Sequence, residues 1–354
     1  MAIAPAPASL SDIAARVEAR LAAVLAAEEQ RWTAFDPTLA DPIGEIGRLV
    51  LGGGKRLRPA FCHWGFVGAG GRADDPSVVD AGAAFELMHA FALFHDDVMD
   101  DADSRRGAPT THTVFAERHR NSGWAGDARR FGDGVAILVG DLAFVFADRL
   151  LAGCNRTAWD VWDELRIELN IGQVLDIVGS VQNSRSRVTA ERICRYKSGK
   201  YTIERPLHLG AMLAAPDRAA ELLPALSAYG LPLGDAFQMR DDVMGAFGDE
   251  SVTGKPVGGD LREGKPTPLM ARAVDAATPA QAEVLALVGA TTLSDTAVAR
   301  VQQVIVETGA LADLEATIVR LTDEAIVGIR QAPLDPTAID ELVALAAFVS
   351  HRET

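Results

Sequence analysis

An apolar run that ends in a cluster of acids is the feature of this chain that most restricts its fold. Residues 90–94 are apolar, and Asp96, Asp97 and Asp100 follow almost at once. On a helix, Asp96 and Asp100 project from the same face, about one turn apart. Two carboxylates so placed repel each other unless a cation lies between them. The run therefore predicts a buried helix whose end forms the rim of a pocket.

The residues after these acids favour a magnesium and diphosphate site. Mg²⁺ typically binds one or two protein carboxylates and completes its shell with substrate phosphates. Arg105 and Arg106 follow closely, and guanidinium groups match phosphate oxygens well. An EF-hand loop counted from Asp96 does not fit, because Gly is absent from its sixth position and Glu from its twelfth. A solvated acidic surface does not fit the apolar run before it.

The composition favours an all-α fold with a large core. Of the 354 residues, 48% are hydrophobic and only 6% aromatic, and few segments alternate polar and apolar residues. The formal net charge of −15 argues against a nucleic-acid partner and a polybasic membrane contact. Cys62, Cys154 and Cys194 have no metal-ligand spacing, which indicates buried thiols in a reducing compartment, so we expect a cytoplasmic protein.

The chain shows no internal repeat and no interdomain linker, so we expect one domain over residues 11–354. Residues 1–10 are rich in Ala and Pro, without the features of a signal peptide, and predict a disordered tail. No apolar run reaches the roughly 18 residues of a membrane span, and residues 136–147 come nearest.

Helical spacing of apolar residues recurs along the whole chain. Ser11 is placed to cap a first helix over residues 12–29. Residues 118–133 and 248–264 are polar and contain Gly, which predicts loops. The other predicted helices span residues 78–96, 135–151, 157–181, a stretch from near Thr189 that carries Lys197, 217–230, 235–247, and helices from 268 to the end.

Several further motifs follow one another in a fixed order. They are Gly53-Gly54-Lys55-Arg56-Leu57-Arg58-Pro59, Glu86-Leu87-Met88-His89 before the first acids, Gly172-Gln173 with Asp176, Lys197-Ser198-Gly199-Lys200-Tyr201-Thr202, Phe237-Gln238-Met239-Arg240-Asp241-Asp242, Thr253-Gly254-Lys255-Pro256, Gly259-Asp260-Leu261 and Gly264-Lys265. The ordered set is similar to the motifs of the trans-isoprenyl diphosphate synthases, or polyprenyl synthetases. The resemblance covers roughly residues 45–270 and is strongest to short-chain geranylgeranyl diphosphate synthases of actinobacterial and archaeal type.

The resemblance implies a fold, an activity and a cofactor. The fold would be a bundle of mostly antiparallel helices around a deep central cavity, in a homodimer. The activity would be a prenyl transfer, in which isopentenyl diphosphate condenses with dimethylallyl, geranyl or farnesyl diphosphate by ionisation, condensation and elimination. Three Mg²⁺ ions are expected, with Mn²⁺ as an alternative ion.

The same resemblance implies roles for individual residues. The magnesium ligands would be Asp96, Asp100 and Asp241, and Asp97 and Asp242 complete the two acidic motifs. The allylic diphosphate and the reaction centre would be contacted by Arg105, Lys197, Thr202, Gln173, Gln238 and Lys255. The isopentenyl diphosphate would be bound by Lys55, Arg58, His89 and Arg106.

The second acidic motif departs from the family pattern, because Gly245 stands where a third Asp is usual. A regulatory subunit without activity of its own is therefore an alternative, although both acid pairs remain. A class I terpene cyclase is a second alternative. It would carry an N-D-x-x-S-x-x-x-E motif, which this chain lacks, and it would not need the basic motif at residues 53–59.

The length of the product is predicted from the helix that ends at Asp96. Phe91 lies five residues upstream, about 7.5 Å deeper along the helix, with the small Ala92 beside it. In the family this arrangement resembles synthases that stop at geranylgeranyl diphosphate, and Met88 adds to the same floor. Farnesyl diphosphate or a longer polyprenyl diphosphate is the alternative product.

Overall fold

The computed structural model describes residues 5–105, 107–182, 185–248, 258–290 and 293–350. The predicted all-α class is confirmed, with one two-stranded hairpin as the exception among these residues. The α-helices are α1 Ala8–Thr33, α2 Ala40–Leu51, α3 Leu57–Gly68, α4 Pro76–Met99, α5 Thr111–Asn121, α6 Ala128–Leu150, α7 Arg156–Val181, α8 Arg187–Ile193, α9 Arg205–Ala214, α10 Ala219–Phe247, α11 Gly259–Glu263, α12 Pro268–Ala276, α13 Pro279–Leu285, α14 Asp295–Glu307, α15 Ala310–Arg330 and α16 Pro336–Ser350. The other elements are the 3₁₀ turns Pro37–Leu39 and Pro216–Arg218, the π-helix Cys194–Glu204, and strands β1 Ser104–Arg105 and β2 Ala108–Pro109.

Helix α4 forms the centre of the main core. It begins cleanly because the Asp75 side chain accepts a hydrogen bond from the Ser77 backbone N–H, at 2.8 Å, and Pro76 fits the first helical position. Phe85 is fully buried and packs edge-on against Trp162 of α7, with ring centroids 5.4 Å apart. By length and composition α4, rather than residues 136–147, could cross a membrane, but most of its apolar stretch is buried inside the protein.

The boundaries of two predicted elements are wrong for local reasons. Helix α1 begins at Ala8, and Ser11 lies inside it with its hydroxyl donating to the Ala8 carbonyl, so Ser11 is not the cap. The loop expected over residues 118–133 is reduced to 122–127. Helix α6 begins at Ala128 rather than at residue 135, because the Asp127 side chain caps it by accepting a hydrogen bond from the Arg130 N–H at 2.8 Å.

Helix α10 is continuous where two helices were predicted. Pro232 lies within it, although proline lacks the N–H of an internal helical hydrogen bond. Burial outweighs that loss, because Tyr229 and Leu233 beside it are fully buried. The lower half of α10 joins α12, α14 and α15 in a second apolar cluster that includes Leu269, Val301, Val304, Ile305 and Leu314. This cluster supports the segment that ends at the second acidic motif.

Candidate functional site

The first acidic motif lies at the end of α4, as the sequence predicts. The helix closes with the Asp100 N–H donating to the Asp96 carbonyl at 2.8 Å. Asp97 is buried and accepts from the Arg105 guanidinium, with Nε 2.7 Å from its Oδ1. The hairpin of β1 and β2 carries Arg105 back to this position, 3.7 Å from the Asp96 Oδ2. Arg105 therefore contacts the first acidic motif directly, with Asp97 as its closest partner.

The pKa values of Asp96 and Asp100 are shifted in opposite directions. Burial raises the pKa of Asp100 to about 6, and the neighbouring Asp96 charge adds to the effect. Burial also acts to raise the pKa of Asp96, but the nearby Lys197, Lys265 and Arg105 outweigh it, so the Asp96 pKa lies below its ordinary value. Asp96 is thus ionised near neutral pH, and Asp100 is mainly ionised there too, at a cost that a bound cation would reduce.

Lys197 extends from the π-helix toward the first acidic motif. Its Nζ lies 2.5 Å from Asp176 Oδ2 on α7 and 3.2 Å from Asp96 Oδ1. Gln173, one turn before Asp176, donates to the same Asp96 oxygen at 3.0 Å. Burial acts to lower the pKa of Lys197, but Asp96 and Asp176 outweigh it and raise the pKa. Lys197 is therefore a fixed cation at the mouth of the predicted diphosphate site.

The second acidic motif lies in the last turns of α10. Asp241 lines the same cavity as Asp96. Asp242 is buried, and its Oδ1 accepts from Gln238 Nε2 at 2.9 Å, while its Oδ2 has no hydrogen-bond partner among the described residues. Burial, with the nearby Asp260 and Asp241 charges, raises the Asp242 pKa well above its ordinary value. Gln238 and Asp242 thus form one buried polar pair behind Asp241.

The predicted isopentenyl diphosphate residues Lys55, Arg58 and His89 also line this cavity. Arg58 donates to the Thr202 hydroxyl at 3.2 Å, and its guanidinium lies 4.4 Å from the centre of the Tyr201 ring. Both partners belong to the π-helix that carries Lys197. The structure therefore brings the two predicted diphosphate sites together along one helix. Arg106 and Lys255, predicted for the two sites, lie outside the described residues.

Arg56 has a role that its motif alone did not reveal. It adopts a left-handed backbone conformation with φ of 49°, just after Gly53 and Gly54, whose φ values are also positive. Its buried guanidinium pairs with Glu86 of α4 and, at 3.0 Å, with Glu18 of α1. This pairing ties the glycine-rich turn to two helices, which leaves Lys55 and Arg58 toward the cavity. The positive φ at a non-glycine residue was not readable from the sequence.

Lys265 is a second residue absent from the predicted site. Its Nζ lies 2.5 Å from Glu263, 3.9 Å from Asp100 and 4.0 Å from Asp260. Burial acts to lower its pKa, but Asp260 and Glu263 outweigh it and raise the pKa. Lys265 links the first acidic motif to the segment after the second. The Gly264-Lys265 motif was the sequence signal for it.

The cavity has a volume of about 790 Å³ and is apolar on part of its wall. Ala90, Ala92 and Leu93 are the apolar residues that α4 contributes to it. Phe91 and Met88, predicted as the floor, are not on this wall. Met88 is fully buried in the core, and the Phe91 ring packs against Phe144 of α6 at 4.8 Å between centroids. Helical geometry explains this, because residue 91 lies about 140° around the helix from residue 96, away from the cavity.

Comparison with known proteins decides the family. Residues 42–307 match the polyprenyl synthetase family. The chain belongs to this family. Among its relatives, the geranylgeranyl diphosphate synthase of Mycobacterium tuberculosis is 33% identical over 310 residues, which are 85% of this chain and 80% of that protein. The geranylfarnesyl diphosphate synthase of Aeropyrum pernix is 33% identical over 272 residues, which are 74% of this chain and 79% of that protein.

A solved polyprenyl synthetase structure agrees along almost the whole chain. The geranylgeranyl pyrophosphate synthase of Corynebacterium glutamicum, complexed with isoprenyl diphosphate and magnesium, superposes with a TM-score of 0.90 at 37% identity. The match covers 96% of this chain and 99% of that one. These findings confirm the predicted family and enzyme class, a trans-prenyltransferase. They do not test the role of any single residue, so the assignments above stay predictions.

The residues of this polyprenyl synthetase fit magnesium shared with a substrate. Among the described residues, no three His, Cys, Asp or Glu side chains converge into a complete protein cage. Asp96, Asp100 and Asp241 instead offer hard oxygen donors, which suits an ion that keeps several positions for water and phosphate oxygens. The buried Asp242 Oδ2 adds an acceptor without a hydrogen-bond partner in the described part of the chain. The arrangement suits bridging ions better than a preformed cage.

Proposed function

We propose that this polyprenyl synthetase condenses isopentenyl diphosphate with dimethylallyl, geranyl and farnesyl diphosphate, with geranylgeranyl diphosphate as the main product. One observation carries the proposal. The π-helix Cys194–Glu204 carries Lys197, which contacts the first acidic motif, and Thr202, which contacts Arg58 of the basic motif. The two predicted binding sites for anionic head groups would therefore share one cavity, as a reaction between two diphosphates requires.

The two head groups would be held by different residues. Lys55, Arg58 and His89, with Arg106 from outside the described residues, would bind isopentenyl diphosphate through charge-assisted hydrogen bonds. Lys197 and Arg105, with Lys255, would bind the allylic diphosphate. Magnesium held by Asp96, Asp100 and Asp241 would neutralise charge on that diphosphate as it leaves. We propose three ions, with Mn²⁺ able to replace Mg²⁺.

The reaction needs charged groups that stabilise the diphosphate and an apolar wall that excludes water, both in one cavity. The allylic C1–O bond breaks, and its electron pair leaves with the diphosphate. The double bond of isopentenyl diphosphate then forms the new C–C bond to C1, and a proton is lost to restore an alkene. Lys197 and Arg105 stabilise the departing charge, while Ala90, Ala92 and Leu93 keep water from the cation. The departing diphosphate is the base that takes the proton.

The main product is proposed to be C20, and the support is indirect. Relatives with C20 and C25 products in their names match this chain at similar identity. Ala90 and Ala92 line the cavity with small side chains, which would leave room for a growing chain beside α4. Farnesyl diphosphate or a longer product remains the alternative.

A homodimer is proposed from an exposed apolar stripe on α7. The stripe lies opposite Gln173 and Asp176, and its members repeat every three or four residues, as in helices that pair. They are Ile167, Ile171, Val174, Val178 and Val181, with Leu138 and Val145 exposed on α6. A second copy of this chain is the proposed partner.

Ile171→Asp with Val178→Asp should give a monomer by light scattering, whereas Val188→Asp on α8, an exposed control, should not.

A cytoplasmic location is proposed on the state of the cysteines. Cys62, Cys154 and Cys194 are all free thiols. Burial raises the pKa of the Cys62 thiol above its ordinary value, which makes it unreactive. Free buried thiols are typical of proteins in reducing compartments.

The test of the function is incubation with Mg²⁺, labelled isopentenyl diphosphate and each allylic primer, followed by chain-length analysis. The expected product is C20, and kcat/KM should fall roughly a hundredfold for Lys197→Ala. Arg192→Ala is the matched control, since Arg192 is exposed and five residues before Lys197. Products that end elsewhere would revise only the chain length. If wild-type protein condenses no primer at all, the proposed function is wrong and a regulatory subunit is favoured.

A further inference from the structure

Three charged side chains outside the cavity lining meet at the π-helix Cys194–Glu204. Glu168 of α7 accepts a hydrogen bond from the Lys200 Nζ with its Oε1. The Arg205 guanidinium binds the same carboxylate through two hydrogen bonds, with Nε 2.6 Å from Oε2 and Nη2 2.8 Å from Oε1. The side chains of Glu168, Lys200 and Arg205 are only 9%, 13% and 16% exposed, respectively. The proposed reaction uses none of these three groups directly.

The spacing of the two cations shows what this cluster holds. Lys200 and Arg205 are five residues apart, so on an α-helix their side chains would diverge by about 140°. They reach one carboxylate because the backbone is wider there, with the Arg205 N–H donating to the Lys200 carbonyl in the i to i+5 pattern of a π-helix. Glu168 therefore bridges the side chains of two residues that a π-type hydrogen bond already joins.

The same spacing separates the two residues of the π-helix that face the predicted diphosphate sites. Lys197 contacts the first acidic motif, and Thr202, five residues later, contacts Arg58 of the basic motif. A return of this segment to the α-helical i to i+4 pattern would turn Lys197 and Thr202 apart by about 140°. Most π-helices are single turns within α-helices, whereas this one has 11 residues. It therefore needs contacts that an α-helix in its place could not make.

One face of α7 supplies such contacts along the π-helix. Glu168, Gly172 and Asp176 follow one another at intervals of four residues and so share that face. Asp176 binds the Lys197 Nζ at 2.5 Å, and a Cβ at Gly172 would lie 2.5 Å from the Lys197 backbone N. Glu168 holds the other end of the π-helix. The π-helix is therefore tied to α7 by ions on both sides of the closest approach of the two backbones.

Stability alone does not account for a buried cluster of ions. Removing charges from water costs free energy that their mutual attraction often fails to offset, and well-packed apolar side chains are commonly as stable. Buried ions can instead select one conformation over its alternatives. The alternative here is the α-helical pattern, in which Lys200 and Arg205 could not share the Glu168 carboxylate.

We propose that Glu168 is a positioning residue that holds the π-helical pattern through Lys200 and Arg205. It thereby keeps Lys197 and Thr202 directed into one cavity. The proposal rests on the proposed function, because it assigns Glu168 to the alignment of the two diphosphate sites. Glu168 lies outside the cavity lining, so its loss should leave the binding of each diphosphate intact and slow the reaction between them.

The test is the steady-state kinetics of prenyl transfer, with kcat and KM measured separately for both substrates. The double variant Glu168→Gln with Lys200→Met removes one charge of each sign, so the net charge of the cluster is unchanged. We expect kcat to fall at least about tenfold and each KM to change less than about twofold, since a misplacement of about 1 Å can slow a reaction about a hundredfold.

A matched control removes a different ion pair of α7. Asp148→Asn with Arg166→Met eliminates a pair 2.7 Å apart that joins α7 to α6 instead of to the π-helix. Its kcat should equal that of the wild type. Thermal unfolding of every variant separates positioning from loss of the fold. If Glu168→Gln with Lys200→Met does not fold, Glu168→Asp takes its place, because it keeps every charge and withdraws the carboxylate by one CH₂ group. Glu168→Asp should likewise lower kcat at unchanged KM.

Three outcomes would overturn the inference. The first is a wild-type kcat in the folded double variant, or in Glu168→Asp where the double variant does not fold. The second is a higher KM with an unchanged kcat, and the third is an equal fall of kcat in the control. Prenyl transfer by the wild type is measured in parallel. With an active wild type, any of these outcomes refutes only the role of Glu168, whereas a wild type that condenses no primer refutes the proposed function.

Discussion

Asp96 and Asp100 should respond in opposite ways to neutralisation in metal-free protein. At pH 8 we expect Asp100→Asn to raise the free energy of unfolding and Asp96→Asn to lower it. Burial and the Asp96 charge raise the Asp100 pKa to about 6, so the Asp100 charge is unfavourable in the folded chain. At Asp96, burial is outweighed by Lys197, Lys265 and Arg105, so its charge is favourable there.

The magnitude for Asp100 follows from its pKa. A rise from 3.8 to about 6 amounts to about 3 kcal/mol at pH 8. The side chain is 31% exposed, so screening by solvent reduces the expected gain in Asp100→Asn to about 1–2 kcal/mol. A carboxyl with a raised folded-state pKa destabilises the fold only where it is ionised. The gain should therefore grow as pH rises from about 4 to 6 and stay constant above.

Urea unfolding in EDTA at pH 4.5 and pH 8 measures this difference. The gain at pH 4.5 should be about a third of the gain at pH 8. Asp101→Asn is the control, since Asp101 forms an exposed ion pair with Arg129 at 2.5 Å and should change stability by less than about 0.5 kcal/mol. The reasoning fails if Asp100→Asn is not stabilised at pH 8, or if its gain is the same at both pH values.

Added ligand should reverse the order of the two proteins. Mg²⁺ with inorganic diphosphate stabilises whichever protein binds it, by an amount that grows with its affinity. Wild type should therefore gain more than Asp100→Asn, because a neutral amide is a poorer magnesium ligand than a carboxylate. Such a reversal would mean that Asp100 is kept for binding at a loss of stability.

Three further predictions test other parts of the site. Ala92→Phe should shorten the products seen by chain-length analysis, because Ala92 lines the cavity whereas Phe91 does not, and unchanged products would place the floor elsewhere. Gly172→Ala should lower Tm, and it should lower kcat about tenfold, because a Cβ at residue 172 would lie 2.5 Å from the Lys197 backbone N. A Tm equal to that of the wild type would contradict the close approach of α7 to the π-helix. Lys265→Met should weaken diphosphate binding about tenfold, as measured by calorimetry, because a cation near Asp100 is lost. Unchanged affinity would show that Lys265 stabilises the fold but does not bind diphosphate.

The sequence could predict the family and the positions of the chemical groups. Motifs far apart in the chain, such as those at Lys55, Lys197 and Asp241, line one cavity, as the resemblance implied. The acidic end of α4 was predicted from local pattern alone. Such features are encoded by residue type and spacing, which a single sequence displays directly.

The contacts that depend on tertiary packing could not be predicted. Pro232 reads as a helix break, yet α10 continues through it because the surrounding core is buried. Phe91 reads as a floor by its distance along the helix, but its direction around the helix turns it toward Phe144. The approach of Asp260 to Gly245 joins two segments whose separation in the sequence gave no sign of contact.

The π-helix shows most clearly why the site needs the whole fold. In an α-helix, residues five apart diverge by about 140°, so Lys197 and Thr202 would face different ways. The i to i+5 pattern of a π-helix instead brings residues five apart toward the same side. Gly172 and Gly234 approach this wide turn so closely that a Cβ would lie 2.5 Å from the Lys197 N and 2.7 Å from the Gly199 O, respectively. These two glycines let α7 and α10 pack against the wider turn, and that turn lets one helix serve both diphosphate sites.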